Sequence, residues 1–298
     1  MVAIPTRAEA PVRSERLVAR DGVPLALDCY GDATAPALVF AHGFGQTRQA
    51  WSASATTLAG EGWRCISADA RGHGESGWRD DGAYEFSQFV ADLVDVAGHA
   101  GATPILVGAS MGGLLGLVAQ AESAAFRALV LVDITPRWEP AGIERILSFM
   151  RAHPDGFVSV AEAAAAIAHY LPHRAARYRD EANASGRLRR MLVQHADGRL
   201  RWHWDPRMLE RIAASGASQQ ENLLAAARQI RVPTLLISGE HSDIVSADTI
   251  AEFQRCVPHA AHVRVARATH MIVGDRNDAF TDAVRQFIQP LRRMAAAH

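Results

Sequence analysis

The sequence feature that most constrains the fold is Leu106-Val107-Gly108-Ala109-Ser110-Met111-Gly112-Gly113. The apolar run from Pro104 to Val107 predicts a short buried strand, and the apolar stretch from Leu114 to Val118 predicts a helix. Between them stands a serine with one glycine two residues before it and another two residues after it. A serine in such a sharp turn takes a positive φ, and the crowded backbone around it leaves room only for very small neighbours. The stretch therefore predicts a strand, a tight turn that exposes Ser110, and a helix.

The segments on either side of this turn predict alternating strands and helices. Buried strands are expected at 37–41, 63–68, 128–132, 234–238 and 261–265. Because strands that alternate with helices pair in parallel, we expect an α/β protein with a mostly parallel, doubly wound sheet covered on both faces. A hairpin turning at Asp21-Gly22 is expected to add an antiparallel edge, since this dipeptide tolerates the positive φ of a tight turn.

The alternation stops between residues 137 and 228. This region is rich in alanine and arginine, and it contains candidate helices at 161–171 and 188–194. We therefore expect a core made of residues 1–136 and 229–298, with residues 137–228 inserted as a helical cap over the carboxyl edge of the sheet. The side chains of Trp138 and Trp204 could line a substrate pocket beneath this cap, or could simply pack its interior.

Composition excludes several classes of function. Hydrophobic residues make up 49% of the chain and charged residues 21%, with a formal net charge of −1, so neither nucleic acid nor a membrane is an expected partner. The apolar stretches are too short to span a bilayer, and residues 1–15 lack the apolar segment of a secretory signal, so we expect a cytoplasmic protein. The three cysteines, Cys29, Cys65 and Cys256, are far apart and are expected to be free thiols.

Chemistry is expected to centre on Ser110. A serine hydroxyl needs a base within hydrogen-bond reach, and the base needs a carboxylate that orients it. His270, after the last expected strand, is the predicted base, and Asp243, in the loop after 234–238, is the predicted acid. Glu240 on the same loop and Asp133 at the end of 128–132 remain alternatives for the acid. The carboxyl ends of parallel strands share one edge of a sheet, so these residues can meet there.

A second motif, His42-Gly43-Phe44-Gly45, follows the strand expected beside the Ser110 strand. The backbone N–H groups of Phe44 and Met111 are therefore predicted to form an oxyanion hole. The Phe44 side chain is also a candidate for the substrate pocket, whereas His42 is expected to hold the loop.

Motifs for metal or cofactor binding are missing from the sequence, and we expect neither group. The chain has no His-Glu-x-x-His. The loop at 69–76 lacks the lysine and the spacing of a phosphate-binding loop, so we expect it to be a rigid connection.

Three motifs together resemble the α/β-hydrolase superfamily: Gly-Ala-Ser-Met-Gly-Gly, His-Gly-Phe-Gly and Asp-Ala-Arg-Gly-His-Gly-Glu-Ser. The resemblance runs from about Arg16 to the C-terminus and is weakest in the cap. It implies the α/β-hydrolase fold and a Ser110–His270–Asp243 triad that cleaves a small-molecule ester or lactone without a cofactor. Carboxylesterases, enol-lactonases, cofactor-free haloperoxidases (perhydrolases) and carbon–carbon bond hydrolases share these motifs. Epoxide hydrolases and haloalkane dehalogenases carry an aspartate in place of Ser110, which disfavours both.

Perhydrolase-like activity on the same triad remains an alternative to ester hydrolysis, and two further alternatives remain at this point. One is carbon–carbon cleavage of a vinylogous diketone, for which arginines of the cap would hold a substrate carboxylate: Arg145, Arg151, Arg174, Arg177, Arg187, Arg189 and Arg190. The other is a non-catalytic ligand receptor on the same scaffold, which the intact serine, acid and histidine set disfavours.

Overall fold

The computed structural model describes residues 12–101, 103–171, 188, 191–270, 272 and 277–295. Its strands are β1 (Val12–Val18), β2 (Pro24–Tyr30), β3 (Ala37–Ala41), β4 (Arg64–Ala68), β5 (Ile105–Ala109), β6 (Ala128–Val132), β7 (Leu192–Gln194), β8 (Leu200–Trp202), β9 (Thr234–Gly239) and β10 (Ala261–Val265). Its α-helices are α1 (Ser52–Ala59), α2 (Phe86–His99), α3 (Met111–Ser123), α4 (Pro140–Arg151), α5 (Val160–Tyr170), α6 (Met208–Ala227), α7 (Ala247–Cys256) and α8 (Asn277–Ala295).

An eight-stranded sheet in the order β1-β2-β4-β3-β5-β6-β9-β10 forms the centre of the molecule. The pairs β1–β2 and β2–β4 are antiparallel, and every other pair in this sheet is parallel. The predicted mostly parallel sheet with an antiparallel leading edge is therefore confirmed. The hairpin turns at Gly22, whose φ is 88°, as the Asp-Gly dipeptide predicts.

Helices cover both faces of the sheet, which is why its central strands read as continuous apolar runs. All residues of β3, β5, β6 and β9 are buried. Along β5 the side chains alternate: Leu106 joins the cluster under α2 and α3, whereas Ile105 and Val107 join the cluster under α1 and α8. The carboxyl ends of the parallel strands are thereby fixed along one edge.

The chain between β6 and β9 carries α4, α5, a two-stranded hairpin of β7 and β8, and α6. The helix expected at 161–171 is present as α5, but the one expected at 188–194 is wrong in its last residues, because Leu192–Gln194 forms β7. The turn chemistry of Asp197-Gly198, where Gly198 has a φ of 81°, favours a hairpin at this point. Whether 137–228 behaves as a cap distinct from the core stays a prediction.

The segment of this insertion between β8 and α6 is bound to the loop that follows β4. Trp204 forms an antiparallel bridge with His73, and the Asp205 N–H donates to the Gly72 carbonyl at 2.9 Å. The Tyr84 hydroxyl donates to the Asp205 carboxylate at 2.7 Å. These bonds place residues 203–205 beside the carboxyl edge of the sheet.

Other expectations concern thiols and membranes. Cys29, Cys65 and Cys256 are free, and the first two are buried, as predicted. Among the described residues, no helix combines the length and the apolar character that crossing a bilayer requires.

Candidate active site

Ser110 lies in the strained turn that the sequence predicts. Its φ is 47° and its ψ is −117°, and α3 begins at the next residue. A Cβ on Gly108 would lie 2.6 Å from the Gly112 carbonyl oxygen, and a Cβ on Gly112 would lie 2.3 Å from that of Ala41. Only glycine fits at these two positions, which lets the chain turn sharply at the carboxyl end of β5.

His270 is held by a buried carboxylate, and that carboxylate belongs to Asp133. The His270 Nδ1 lies 2.8 Å from Asp133 Oδ2, and the Asp133 side chain is fully buried. Asp133 also accepts the Gly239 N–H at 2.7 Å and the Ser242 hydroxyl at 2.5 Å. Three hydrogen-bond partners therefore fix the orientation of this carboxylate. With Nδ1–H donating to Asp133, the lone pair of His270 lies on Nε2.

The expected position of Asp243 is wrong, because the structure does not bring Asp243 to His270. Its carboxylate lies 2.7 Å from the guanidinium of Arg145 on α4. The same guanidinium stands over the Tyr170 ring, 5.2 Å from its centroid. The physical reason is distance along the chain: Asp243 lies four residues beyond the end of β9, where the loop has already turned toward α4, whereas Asp133 follows β6 directly.

Close packing at Gly239 explains how His270 comes to lie against Asp133. A Cβ on this residue would lie 2.6 Å from the carbonyl oxygens of both Ala268 and Thr269. The missing side chain lets the turn after β10 settle against the end of β9, which brings His270 over Asp133. Glu240, the other alternative for the acid, instead accepts a hydrogen bond from the Arg267 N–H at 2.8 Å.

The predicted oxyanion loop passes directly over Ser110. A Cβ on Gly43 would lie 3.1 Å from the Ser110 Cβ, so this glycine permits the close approach. Phe44 is the next residue, and Met111 supplies the first N–H of α3, which has no intrahelical acceptor. The two backbone donors predicted from the sequence thus lie on the two segments that flank Ser110.

Three buried histidines surround this loop. His42 donates from Nδ1 to the Gly43 carbonyl at 2.9 Å, and its Nε2 accepts the Ala70 N–H at 2.9 Å. His73 donates from Nδ1 to the Arg71 carbonyl at 3.1 Å, and its Nε2 accepts the Gly45 N–H at 3.3 Å. His203, in the insertion, accepts the Gly74 N–H on Nδ1 at 3.1 Å.

These histidines are neutral at pH 7. Burial lowers the pKa of His42, and burial together with the nearby His42 and His203 lowers the pKa of His73 well below its usual range. Burial, with His42 beside it, also lowers the pKa of His203 to about 4.

The residues predicted to contact a substrate differ in exposure. Phe44 is half-buried, with its ring 5.1 Å from that of Trp204 and 5.3 Å from that of His73. Trp204 is only 2% exposed, and its ring packs against Phe44 of the oxyanion loop. Trp138 is half-buried against the core. Contact of any of the three with a substrate stays a prediction.

Of the seven cap arginines considered above, Arg145 is the one paired with Asp243. Five of them lie outside the described residues: Arg174, Arg177, Arg187, Arg189 and Arg190.

The loop at 69–76 is held by its own buried polar groups. Asp69 is fully buried and accepts the N–H groups of Arg48 at 2.6 Å and of Glu75 at 3.0 Å. The Ser76 hydroxyl donates to the Asp69 carbonyl at 2.7 Å. This network agrees with the rigid connection expected from the sequence.

Within the part of the chain that the structure describes, one group of side chains has the spacing of metal ligands: Glu15, Cys29 and His99. It lies on β1, β2 and the last turn of α2, away from Ser110. His99 Nε2 is 2.9 Å from Glu15, and Arg13 also contacts Glu15. Burial raises the pKa of the Cys29 thiol to about 11. Ion pairing and a buried thiol account for this cluster, and we assign it no part in the site.

Sequence reasoning missed three residues that shape the site: Ser242, His73 and His203. Ser242 lies one residue before the aspartate that the sequence suggested, and its hydroxyl binds the Asp133 carboxylate. His73 and His203 belong to Gly-His-Gly and Trp-His-Trp. A histidine between two glycines or two tryptophans was a signal of burial, but its partner far along the chain could be found only in three dimensions.

Comparison with known proteins agrees with this fold. A family model for the alpha/beta hydrolase fold matches residues 36–276. The 3-hydroxybutyrate-oligomer hydrolase of Cupriavidus necator is 30% identical over 263 residues, which cover 81% of this chain and 85% of that protein. The sn-1-specific diacylglycerol lipase ABHD11 of Mus musculus is 31% identical and covers 87% of this chain and 82% of its own length.

A solved structure shares the architecture. The crystal structure of an alpha/beta hydrolase from Novosphingobium aromaticivorans superposes with a TM-score of 0.78 at 26% identity, covering 94% of this chain and 99% of that one. Because the family model spans most of the sequence and both named relatives align with more than four-fifths of it, the chain belongs to the α/β hydrolase family.

Proposed function

We propose that this hydrolase of the α/β hydrolase type cleaves a carboxylic ester or lactone through an acyl-enzyme on Ser110. The observation that carries the proposal is the contact between His270 Nδ1 and the fully buried Asp133, 2.8 Å apart, on the strand next to that of Ser110. This contact leaves Nε2 of His270 as the basic atom. A histidine oriented in this way is what a serine hydroxyl needs to become a nucleophile.

The reaction then runs in two halves. Ser110 Oγ bonds to the carbonyl carbon while its proton passes to His270 Nε2, and the N–H groups of Phe44 and Met111 hold the resulting oxyanion. The carbon–oxygen bond to the leaving alcohol breaks, and His270 returns the proton to that oxygen. Water, deprotonated by His270, then attacks the acyl carbon, the bond from that carbon to Ser110 Oγ breaks, and His270 returns the proton to Oγ as the acid leaves. Asp133 fixes the tautomer of His270 and stabilises its cation throughout.

Two relatives support ester chemistry. One is named for the hydrolysis of 3-hydroxybutyrate oligomers and the other as a lipase of diacylglycerol. Both names describe the cleavage of an ester between an acyl group and an oxygen leaving group. We extend that class of bond, and not those particular substrates, to this chain.

The test is turnover of a mixed panel of p-nitrophenyl esters, lactones and thioesters, with a vinylogous diketone as the comparison substrate. We expect ester or lactone turnover by the wild type and a fall of roughly a thousandfold or more in kcat for Ser110→Ala, which removes the nucleophile. Retention of most activity in that variant would exclude the acyl-enzyme. Cleavage of the diketone alone would favour carbon–carbon hydrolysis.

A fluorophosphonate probe separates an enzyme from a receptor. The probe reacts with a serine only when a neighbouring base activates it. We expect labelling at Ser110 in the wild type and none in Ser110→Ala. A folded wild-type protein that stays unlabelled and turns over no member of the panel would favour a ligand-binding role.

A further inference from the structure

Three hydrogen bonds hold the two peptide groups that flank the Phe44 Cα. The Gly43 carbonyl accepts from His42 Nδ1 at 2.9 Å and from the Gln46 N–H at 3.1 Å. The Phe44 N–H belongs to the same planar trans peptide and therefore points the opposite way from that carbonyl. The next peptide is held at the Gly45 N–H, which donates to His73 Nε2 at 3.3 Å. The Phe44 N–H is thus held through both peptides that flank the residue, and the bond to His73 is the one of these three that comes from a distant segment of the chain.

The hydrogen bonds of His73 leave its Nε2 free to accept the Gly45 N–H. Its Nδ1–H is taken by the Arg71 carbonyl, so Nε2 carries the lone pair that the Gly45 N–H requires. The ring is fully buried and packs edge-on against Phe44, with centroids 5.3 Å apart. A protonated ring would lose the acceptor, and the surroundings oppose protonation.

The titratable groups around His73 come from every segment packed on it. His42, on the segment after β3, and His203, in the insertion, lie beside this ring and add to the effect of burial in lowering the pKa of His73. Asp69, on the segment after β4, is already paired with Arg48. The neutral tautomer of His73 is therefore the stable one at neutral pH.

The insertion holds His73 in its place. Trp204 bridges to His73 through the backbone, and the His203 carbonyl and Nδ1 each accept the Gly74 N–H at 3.1 Å. The Trp204 ring also packs against the Phe44 ring, with centroids 5.1 Å apart. The insertion, His73 and the oxyanion loop therefore form one continuous set of contacts.

We propose that His73 is a positioning residue for the reaction, because its bond to the Gly45 N–H aims the Phe44 N–H at the developing oxyanion. The inference rests on the proposed function. It assigns His73 a part in the transition state that the motif around it does not suggest.

The test compares two substitutions of His73 with a matched control. His73→Phe keeps an aromatic ring but removes the acceptor, whereas His73→Gln places an amide oxygen near the position of Nε2. The control is Tyr84→Phe, which removes the hydrogen bond to Asp205 in the same contact between loop and insertion but does not touch the oxyanion loop. Each variant is assayed on the best ester of the panel and with the fluorophosphonate probe.

For His73→Phe we expect kcat to fall about 10- to 100-fold with KM within about threefold, since a misaimed donor weakens transition-state binding more than substrate binding. The rate of inactivation by the probe should fall in parallel, because the phosphoryl oxygen occupies the same hole. His73→Gln should recover most of the loss, and Tyr84→Phe should leave kcat unchanged.

Three results would overturn the inference: His73→Phe with wild-type kcat, equal losses in the Phe and Gln variants, or the same loss in Tyr84→Phe. If the Phe variant does not fold, 15N NMR of histidines in the wild type replaces it. His73 must then be neutral with Nδ1 protonated, and the other tautomer or titration near its ordinary pKa refutes the proposal. A failure of the proposed function is distinct, because the wild type itself would then show neither turnover nor labelling at Ser110.

Discussion

At the scale of single residues, the structure places Asp133, and not Asp243, against His270. Asp133 is fully buried and contacts His270, whereas Asp243 is partly exposed and pairs with Arg145. Both residues follow parallel strands, so both are expected at the carboxyl edge of the sheet. The acid that orients the base has to be rigid, and Asp133 receives three hydrogen bonds that make it so.

This assignment predicts opposite outcomes for two similar substitutions. Asp133→Asn should lower kcat by roughly 1,000- to 10,000-fold, because an amide favours the wrong tautomer of His270. Asp243→Asn should change kcat by less than about tenfold, since it only weakens the pair with Arg145. Steady-state kinetics on an ester substrate measure both. A larger loss for Asp243→Asn would return that residue to the role that the sequence suggested.

At the scale of elements, the site depends on how closely α3 and β3 approach each other. Gly112 faces the end of β3, where a Cβ would lie 2.3 Å from the Ala41 carbonyl oxygen and 2.8 Å from its side chain. Backbone atoms cannot move aside as a flexible side chain can. The geometry of the turn and the packing of the helix on the sheet are therefore one constraint.

A pair of glycine substitutions tests this constraint. Gly112→Ala should lower the free energy of unfolding by about 3 kcal/mol, because the added methyl group forces α3 away from β3. Gly98→Ala, on the exposed side of α2 with nothing within 4 Å of the new Cβ, should raise it by about 0.5–1 kcal/mol through helix propensity. Urea unfolding measures both. Equal effects at the two positions would mean that the close approach at Gly112 does not constrain the fold.

At the scale of the whole molecule, three buried neutral histidines join the core to the insertion. His42 and His73 belong to the core, and His203 belongs to the insertion. In the unfolded chain each has an ordinary pKa near 6.5, whereas in the folded protein each pKa is lower. The unfolded state therefore binds more protons once the pH falls below that value.

Because these pKa values are lower in the folded protein, its stability falls as the pH falls. Stability contributed by the neutral histidines is complete above about pH 7 and is lost as the pH falls below their ordinary pKa. For His203, whose pKa in the folded protein is about 4, the loss is about 1 kcal/mol per pH unit down to that value. Urea unfolding at a series of pH values should show this slope, and His203→Asn, which keeps an acceptor for the Gly74 N–H, should reduce it by one proton. A slope that is the same in the variant would show that His203 is not held neutral.

Local patterns determined much of this protein. The central strands, the turn at Ser110 and the loop at His42–Gly45 follow from apolar periodicity and from glycines at fixed spacing, because these features depend on near neighbours in the chain. The same patterns named Ser110 and His270. The helix that they predicted at 188–194 is wrong at Leu192–Gln194, which form a strand paired across the Asp197-Gly198 turn.

Only the tertiary structure decided which aspartate meets His270 and which histidines hold the oxyanion loop. The contacts of His270 with Asp133 and of Gly74 with His203 join residues more than a hundred positions apart. A sequence shows which side chains stand at the ends of strands, but the length and path of each loop decide where those side chains point. Asp133 directly follows the last residue of β6, so its position is fixed by the strand, whereas Asp243 lies four residues beyond β9 on a loop. Asp133 therefore contacts the histidine and Asp243 does not.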